Sequence, residues 1–192
     1  MNTFDIRTEI SARHVHLSQK DIDRLFGKDY SLTFHKELIG AFLAKERITL
    51  IGKKHQIENV AILGPARDET QIELSFTDAR FLGIPAPVRL SGNLKNTPGI
   101  KISLKDGTLI ELGHGCIIPQ RHMHLTENFA STYKLKQNQQ VKLKIDTGIG
   151  RNLTFEQVIV RIGGTANVVH LDTDEGNAAG IDRKTKGICI IE

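Results

Sequence analysis

Apolar and polar residues alternate in short runs along most of this chain, and glycine, proline and asparagine bound the runs. Alternation over about four to eight residues marks a half-buried strand. On that reading strands are predicted at 47–51, 57–63, 71–76, 87–90, 100–104, 109–112, 141–145, 158–162 and 187–191. Helical spacing is rarer. Ser18 as N-cap followed by Ile22, Leu25 and Phe26 predicts a helix over 19–26, Thr126 opens a second over 127–135, and a third is expected over 37–45. Many short strands with few helices predict a mostly β protein, a barrel or a sandwich.

The chain also repeats itself. Ser11-Ala-Arg-His-Val-His-Leu-Ser18 recurs as Pro119-Gln-Arg-His-Met-His-Leu-Thr126, with the arginine, both histidines and the leucine identical and a helix-capping hydroxyl last in each. A second stretch, Ile57-Glu-Asn-Val-Ala-Ile-Leu63, resembles Phe155-Glu-Gln-Val-Ile-Val-Arg161. Continuing that register, with a one-residue slip, brings Glu73-Leu74 onto His170-Leu171 and Asp78 onto Glu175. The expectation is two similar β-units produced by duplication.

Composition narrows what such units do. At 192 residues, 39% hydrophobic and 25% charged, the chain is of globular type, which excludes disordered and collagen-like classes. No run is apolar enough to cross a bilayer, and the first residues carry no export signal, so no membrane association is expected. With only Cys116 and Cys189 neither a disulfide framework nor a CxxC metal site can form, which fits a reducing, cytoplasmic setting. A net charge of +4 favours anionic partners. The 5% aromatic content, without tryptophan, argues against nucleic acid and for a small anionic ligand.

In an extended segment His14 and His16 project from one face, as do His122 and His124, so each pair can grip one metal. Glu73 added to the first pair, and His170 to the second, makes two three-ligand sets of the kind that leave a catalytic zinc an open position. A lone HxH more often satisfies backbone or carboxylate partners; two copies in identical contexts favour metal. His35, His55 and His114 stand alone, and both cysteines read as core. Arg13 and Arg121 either brace the sheet through ion pairs or bind phosphate. Arg67, in the loop 64–71 leading to Glu73, either binds an anion or pairs with Asp68 or Glu69. The acidic run Asp172, Asp174, Glu175 supports the imidazoles or is a charged turn.

Five motifs in order carry a resemblance over nearly the whole chain: ArgHisValHisLeuSer at 13–18, GlyProAlaArg with ThrGlnIleGluLeuSer and ThrAspAla between 64 and 79, AlaProValArgLeuSerGly at 86–92, ArgHisMetHis at 121–124 and HisLeuAspThrAspGlu at 170–175. Together they resemble the phosphate propanoyltransferases of the PduL type. The resemblance implies an acyltransferase of bacterial metabolism that interconverts acyl-CoA and phosphate with acyl phosphate and coenzyme A. It implies two small β-barrels capped by short helices, with interleaved segments: residues 1–12 and 121–192 in one barrel, 13–120 in the other. It implies two divalent metal ions, zinc expected although imidazole and carboxylate suit cobalt and others alike, held by His14, His16 and Glu73 and by His122, His124 and His170, with Arg67 beside the transferred phosphate.

The positive net charge makes Arg13, Arg121, Lys53 and Lys54 candidates for binding the phosphates of coenzyme A; the resemblance further implies a homodimer and an association with a bacterial microcompartment, although only about ten residues precede the first motif. The thioester sulfur is expected at His14, His16 and Glu73 and the phosphate, with Arg67, at the all-histidine set. Gly176 and the stretch 163–169 depart from the family pattern, which leaves acyl-chain preference open. The rival readings are a metal-dependent thioesterase or hydrolase and a cupin-like metal- and ligand-binding module. A (β/α)8 hydrolase barrel needs about 250 residues and alternating helices.

Overall fold

The computed structural model describes residues 2–191; Met1 and Glu192, the outer ends of the first expected barrel, lie outside the described residues. The chain forms two units, one made of the described residues up to Ser11 and from Gln120 onward, the other spanning Ala12–Pro119. Among the described residues no helix is long and apolar enough to cross a membrane.

The first unit is a closed six-stranded barrel of β1 (Asn2–Ile10), β11 (His122–Leu125), β12 (Gln140–Ile145), β13 (Leu153–Ile162), β14 (Val168–Leu171) and β15 (Lys186–Ile191). Around the ring the order is β1-β14-β11-β13-β12-β15. Alternation turns Phe4 and Ile6 of β1 inward against Met123, Leu143, Val160 and Cys189, while Asp5 and Arg7 face out. Two short helices, α3 (Glu127–Thr132) and α4 (Thr173–Ala179), follow the strands they cap. Phe4 packs edge-on against Phe129 at 5.1 Å between ring centroids, which seats α3 on the barrel end.

The second unit holds β2 (His14–His16), β3 (Phe34–Leu38), β4 (Ala41–Ile51), β5 (Gln56–Gly64), β6 (Gln71–Glu73), β7 (Val88–Arg89), β8 (Ile100–Ser103), β9 (Leu109–Leu112) and β10 (Cys116–Pro119), with α1 (Gln19–Phe26) and α2 (Phe76–Leu82). Six of its strands, in the order β10-β6-β2-β5-β4-β8, match the barrel strand for strand, with the same parallel and antiparallel senses. The ring, however, does not close, and this corrects the expectation of a second barrel. In the barrel β15 pairs with β1 along six positions. Here the corresponding edge of β10 is shared: Ile118 N–H donates to Pro87 O of the segment leading into β7, and only Cys116 N–H reaches Pro98 O, just before β8. β8 pairs with β9 instead, and the result is a curled, open sheet.

The helix expected over 37–45 is a β-hairpin. Leu38 pairs with Ala41 across a two-residue turn, and Gly40 takes the φ of 72° that the turn requires. The strand expected at 71–76 stops at Glu73, because Ser75 and Asp78 form a capping box that starts α2. Asp172 and Glu175 do the same for α4. Within α4, Gly176 leaves no room for a side chain: a Cβ there would lie 2.4 Å from Cγ1 of Ile10.

Both HxH strands are tied to their helices in one way. The backbone N–H after the motif donates to the residue three before the third candidate ligand: Ser18 N to Thr70 Oγ1 at 2.9 Å, and Thr126 N to Asn167 Oδ1 at 2.9 Å. In the open sheet, buried Asp21 completes the knot, accepting from Thr70 Oγ1 at 2.7 Å, Ser18 Oγ at 3.1 Å and Arg24 Nη1 at 2.7 Å. Burial alone would raise the Asp21 carboxyl, but the bonds from Thr70, Arg24 and Ser18 outweigh it and hold the group below its ordinary range. Its stabilisation is therefore present above the unfolded carboxyl value and is lost as pH falls through the folded one. Asp21→Ala is expected to cost about 1–3 kcal/mol in urea denaturation at neutral pH. The difference from the unaltered protein should shrink below roughly pH 4.

Candidate functional site: two three-ligand clusters

On β2 the residue between the histidines, Val15, points into the core, which leaves His14 and His16 together on the other face. β6 runs antiparallel beside β2 in a register that sets Glu73 opposite His14. Three ligand atoms meet: His14 Nε2 lies 3.2 Å from His16 Nε2 and 3.4 Å from Glu73 Oε2, and His16 Nε2 lies 3.8 Å from Glu73 Oε1. Ligands about 2.0–2.2 Å from a tetrahedral zinc stand roughly 3.3–3.6 Å apart, so the donors already have nearly the right spacing. His14 Nδ1 donates to Ala12 O at 2.8 Å and His16 Nδ1 to Leu63 O at 3.2 Å, which leaves both Nε2 lone pairs directed inward.

The barrel repeats this arrangement. His122 Nδ1 donates to Gln120 O at 2.9 Å, the same carbonyl two residues back that His14 uses. His122 Nε2 and His124 Nε2 are 3.1 Å apart, with rings nearly perpendicular in both pairs, at 83° here and 88° in the open sheet. His170, opposite His122 on β14, completes the set, and in each cluster the three ligand atoms lie within 4.8 Å of one another. Glu9 of β1, which also pairs with Arg7, approaches His170 Nε2 at 3.6 Å. The two clusters thus present two imidazoles with a carboxylate, and three imidazoles, both sound donor sets for a divalent cation.

Electrostatics keep key donors unprotonated. Burial, His14 and Arg67 together lower His16 to about 3, and burial, His122 and Arg161 lower His124 to about 4. His14 moves the other way: burial disfavours its charge, but the Glu73 carboxylate and the Ala12 carbonyl raise it overall.

Arg67 stands against the first cluster. Its backbone N–H donates to Leu17 O at 2.9 Å, and Nη2 stands 2.9 Å from His16 Nε2. Its Nη1 donates to Ser91 Oγ at 3.1 Å, and Glu69 pairs with His114 at 3.1 Å. A guanidinium at the rim of a cation-binding cluster is suited to hold an anion there.

Arg13 and Arg121 are ion-paired with the N3 acids of the helix caps, Arg13 Nη1 to Asp78 Oδ1 at 3.0 Å and Arg121 Nε to Glu175 Oε1 at 3.1 Å. The bracing reading of these two arginines has direct contacts behind it, and in the acidic run Asp172 and Glu175 cap α4. Lys53 and Lys54 are exposed after β4, His55 stacks on Phe81 at 4.6 Å, and His35 is exposed on β3. Cys116 and Cys189 are buried with thiols pushed up to about 12, which makes them inert. Sequence reasoning missed Gln71, Ser91 and Glu9. Gln71 was recoverable from its spacing to Glu73; Ser91 is joined to the cluster only through a loop.

The family model described as phosphate propanoyltransferase matches residues 7–182. A phosphate propanoyltransferase of Enterococcus faecalis is 45% identical over 189 residues, covering 97% of this chain and 87% of its own length. One from Clostridioides difficile is 42% identical over 184 residues, covering 94% and 86%. One from Thermotoga maritima is 47% identical over 173 residues, covering 88% and 81%.

With one candidate ligand set in each unit, His124→Ala is expected to remove about one of two bound zinc equivalents by metal analysis while far-UV circular dichroism is unchanged. Retention of both equivalents would rule out the second cluster as a metal site.

Proposed function

The chain belongs to the phosphate propanoyltransferase family, and from that premise we propose that it transfers the propanoyl group between coenzyme A and inorganic phosphate. A phosphate oxygen bonds to the acyl carbon, the carbon–sulfur bond breaks, and the sulfur leaves with the bonding pair. The proton of hydrogen phosphate ends on the thiol, so no covalent enzyme intermediate is needed. The observation that carries the reading is the Arg67 guanidinium, anchored at Ser91 and reaching His16 of a three-ligand cluster.

Phosphate is a weak nucleophile unless positioned and shielded from the charge it meets. Arg67 offers a planar fork for its oxygens and offsets that charge, at the His14, His16 and Glu73 cluster. His14, His16 and Glu73, and likewise His122, His124 and His170, would each hold one divalent ion, zinc by donor type. When bound, such ions supply Lewis-acid polarisation and stabilise developing negative charge on oxygen or sulfur. The carbonyls of Ala12, Leu63 and Gln120 fix the imidazole tautomers for that task.

We read the repeat as a duplication, with residues 13–120 as one copy and 1–12 plus 121–192 as the other. The shared six-strand order and the matching Nδ1–carbonyl bonds support it.

Thiol release from propanoyl-CoA by the metal-replete protein is expected to require phosphate. Phosphate-independent release would mean a thioesterase, and none would end the transferase reading. Arg67→Ala should lower kcat/KM for phosphate about 10- to 100-fold, the equivalent of a charge-assisted hydrogen bond.

A further inference from the structure

We propose that Gln71 is a positioning residue that couples the Glu73 ligand to the Arg67 guanidinium through Ser91, so that one buried amide orients both. Gln71 and Glu73 lie two apart on β6, hence on one face, while Ile72 between them is core. Gln71 stands opposite His16 across the β2–β6 ladder, as Glu73 stands opposite His14. It is 1% exposed, and its amide is almost fully engaged: Nε2 donates to Glu73 Oε1 at 2.6 Å and to Ser91 Oγ at 2.8 Å, while Oε1 accepts from Gly92 N at 2.7 Å. Reversing the amide would set its oxygen against the carboxylate and its NH2 against an N–H, so the partners fix its orientation.

Ser91 continues the chain. Its Oγ accepts from Gln71 on one side and from Arg67 Nη1 at 3.1 Å on the other, and Arg67 Nη2 returns to His16 at 2.9 Å. The result is a closed polar circuit running Glu73, Gln71, Ser91, Arg67, His16. An exposed arginine otherwise samples many rotamers; anchoring at Ser91 restricts it before phosphate arrives.

The internal repeat separates this role from a folding role. In the barrel, the strand position equivalent to Gln71 is Val168, which stands opposite His124 as Gln71 stands opposite His16 and is fully buried. The same strand geometry is therefore built with an apolar residue there. A buried amide is needed only in the copy that has a carboxylate ligand and a guanidinium to align. A glutamate at 71 would repel Glu73, and an apolar residue would remove a donor from Glu73 and an acceptor from Gly92 N.

The part concerning phosphate rests on the proposed function; the part concerning Glu73 does not, and two measurements keep them apart. The first is zinc competition against a chelator in the full-length protein. Gln71→Val, which installs the barrel's residue, should weaken one of the two zinc equivalents by about tenfold, the usual effect of losing a group that orients a ligand. Unchanged affinity of both equivalents overturns the coupling to Glu73. The second is steady-state kinetics of Ser91→Ala, which breaks the circuit at its middle with little change in volume and serves also if Gln71→Val does not fold. KM for phosphate should rise about three- to tenfold without a matching rise in KM for propanoyl-CoA, and Ser91→Thr, which keeps the hydroxyl, should restore it. A phosphate KM within about twofold of the unaltered protein, or a parallel rise for both substrates, overturns the coupling to Arg67. If the unaltered protein shows no phosphate-dependent turnover, the functional reading fails and zinc competition alone decides the role of Gln71.

Discussion

Two imidazoles two residues apart on a strand share a face, but sharing a face does not make them a ligand pair. What does so here is the hydrogen bond from the first ring's Nδ1 to the carbonyl two residues back, Ala12 for His14 and Gln120 for His122. That bond fixes the tautomer, turns the Nε2 lone pair away from the backbone, and brings it to 3.2 Å or 3.1 Å from its neighbour's. Two acceptors that close repel one another unless a cation or a donor lies between or beside them. The rest of the local architecture holds this arrangement in place: a parallel strand on one side, an antiparallel strand supplying the third ligand on the other, and a capped helix at the far end.

The copies share that scaffold and differ in charge. Three neutral imidazoles leave a bound dication its full formal charge, whereas Glu73 removes one unit. The carboxylate-bearing cluster is also the one that carries Arg67, and so the one in which a further fixed donor, Gln71, has work to do. Where the barrel has Val168 no such alignment is needed. The two units differ at the candidate ligands and their immediate neighbours, while the strand order and the Nδ1–carbonyl bonds of His14 and His122 are common to both.

Much of this is legible in the chain because an HxH pair of candidate ligands is local and the repeat doubles the signal. Glu73 and His170 were found by register alone, since strands that pair in the same order place their third ligands at matching positions. Contacts through loops were not legible: Ser91 joins the cluster from the segment after β7, and no period connects it to Arg67. The hairpin at 34–51 misleads because Leu38, Phe42 and Leu43 also suit a helix, and Gly40 decides the matter through a turn. β1 alternates well but is charged on its outer face, and its partners are remote in sequence, at 168–171 and 186–191. Helices α2 and α4 are only 7 residues each, too short for periodicity, although both begin with a capping box that can be read directly.

The units also exchange their leading strands: β1 precedes the HxH strand of the open sheet yet pairs within the barrel, and β10 precedes the HxH strand of the barrel yet pairs within the open sheet. On the ribosome this makes the order of events asymmetric. The sheet over 12–119 can pair fully as soon as β10 emerges, but β1, synthesised first, waits for β14 and β15 at the other end of the chain. At about 5–20 residues per second that interval is roughly 10–40 s. Throughout it β1, an amphipathic strand with Phe4 and Ile6 on its apolar side, lacks its barrel partners and presents an unpaired edge open to mispairing between neighbouring chains.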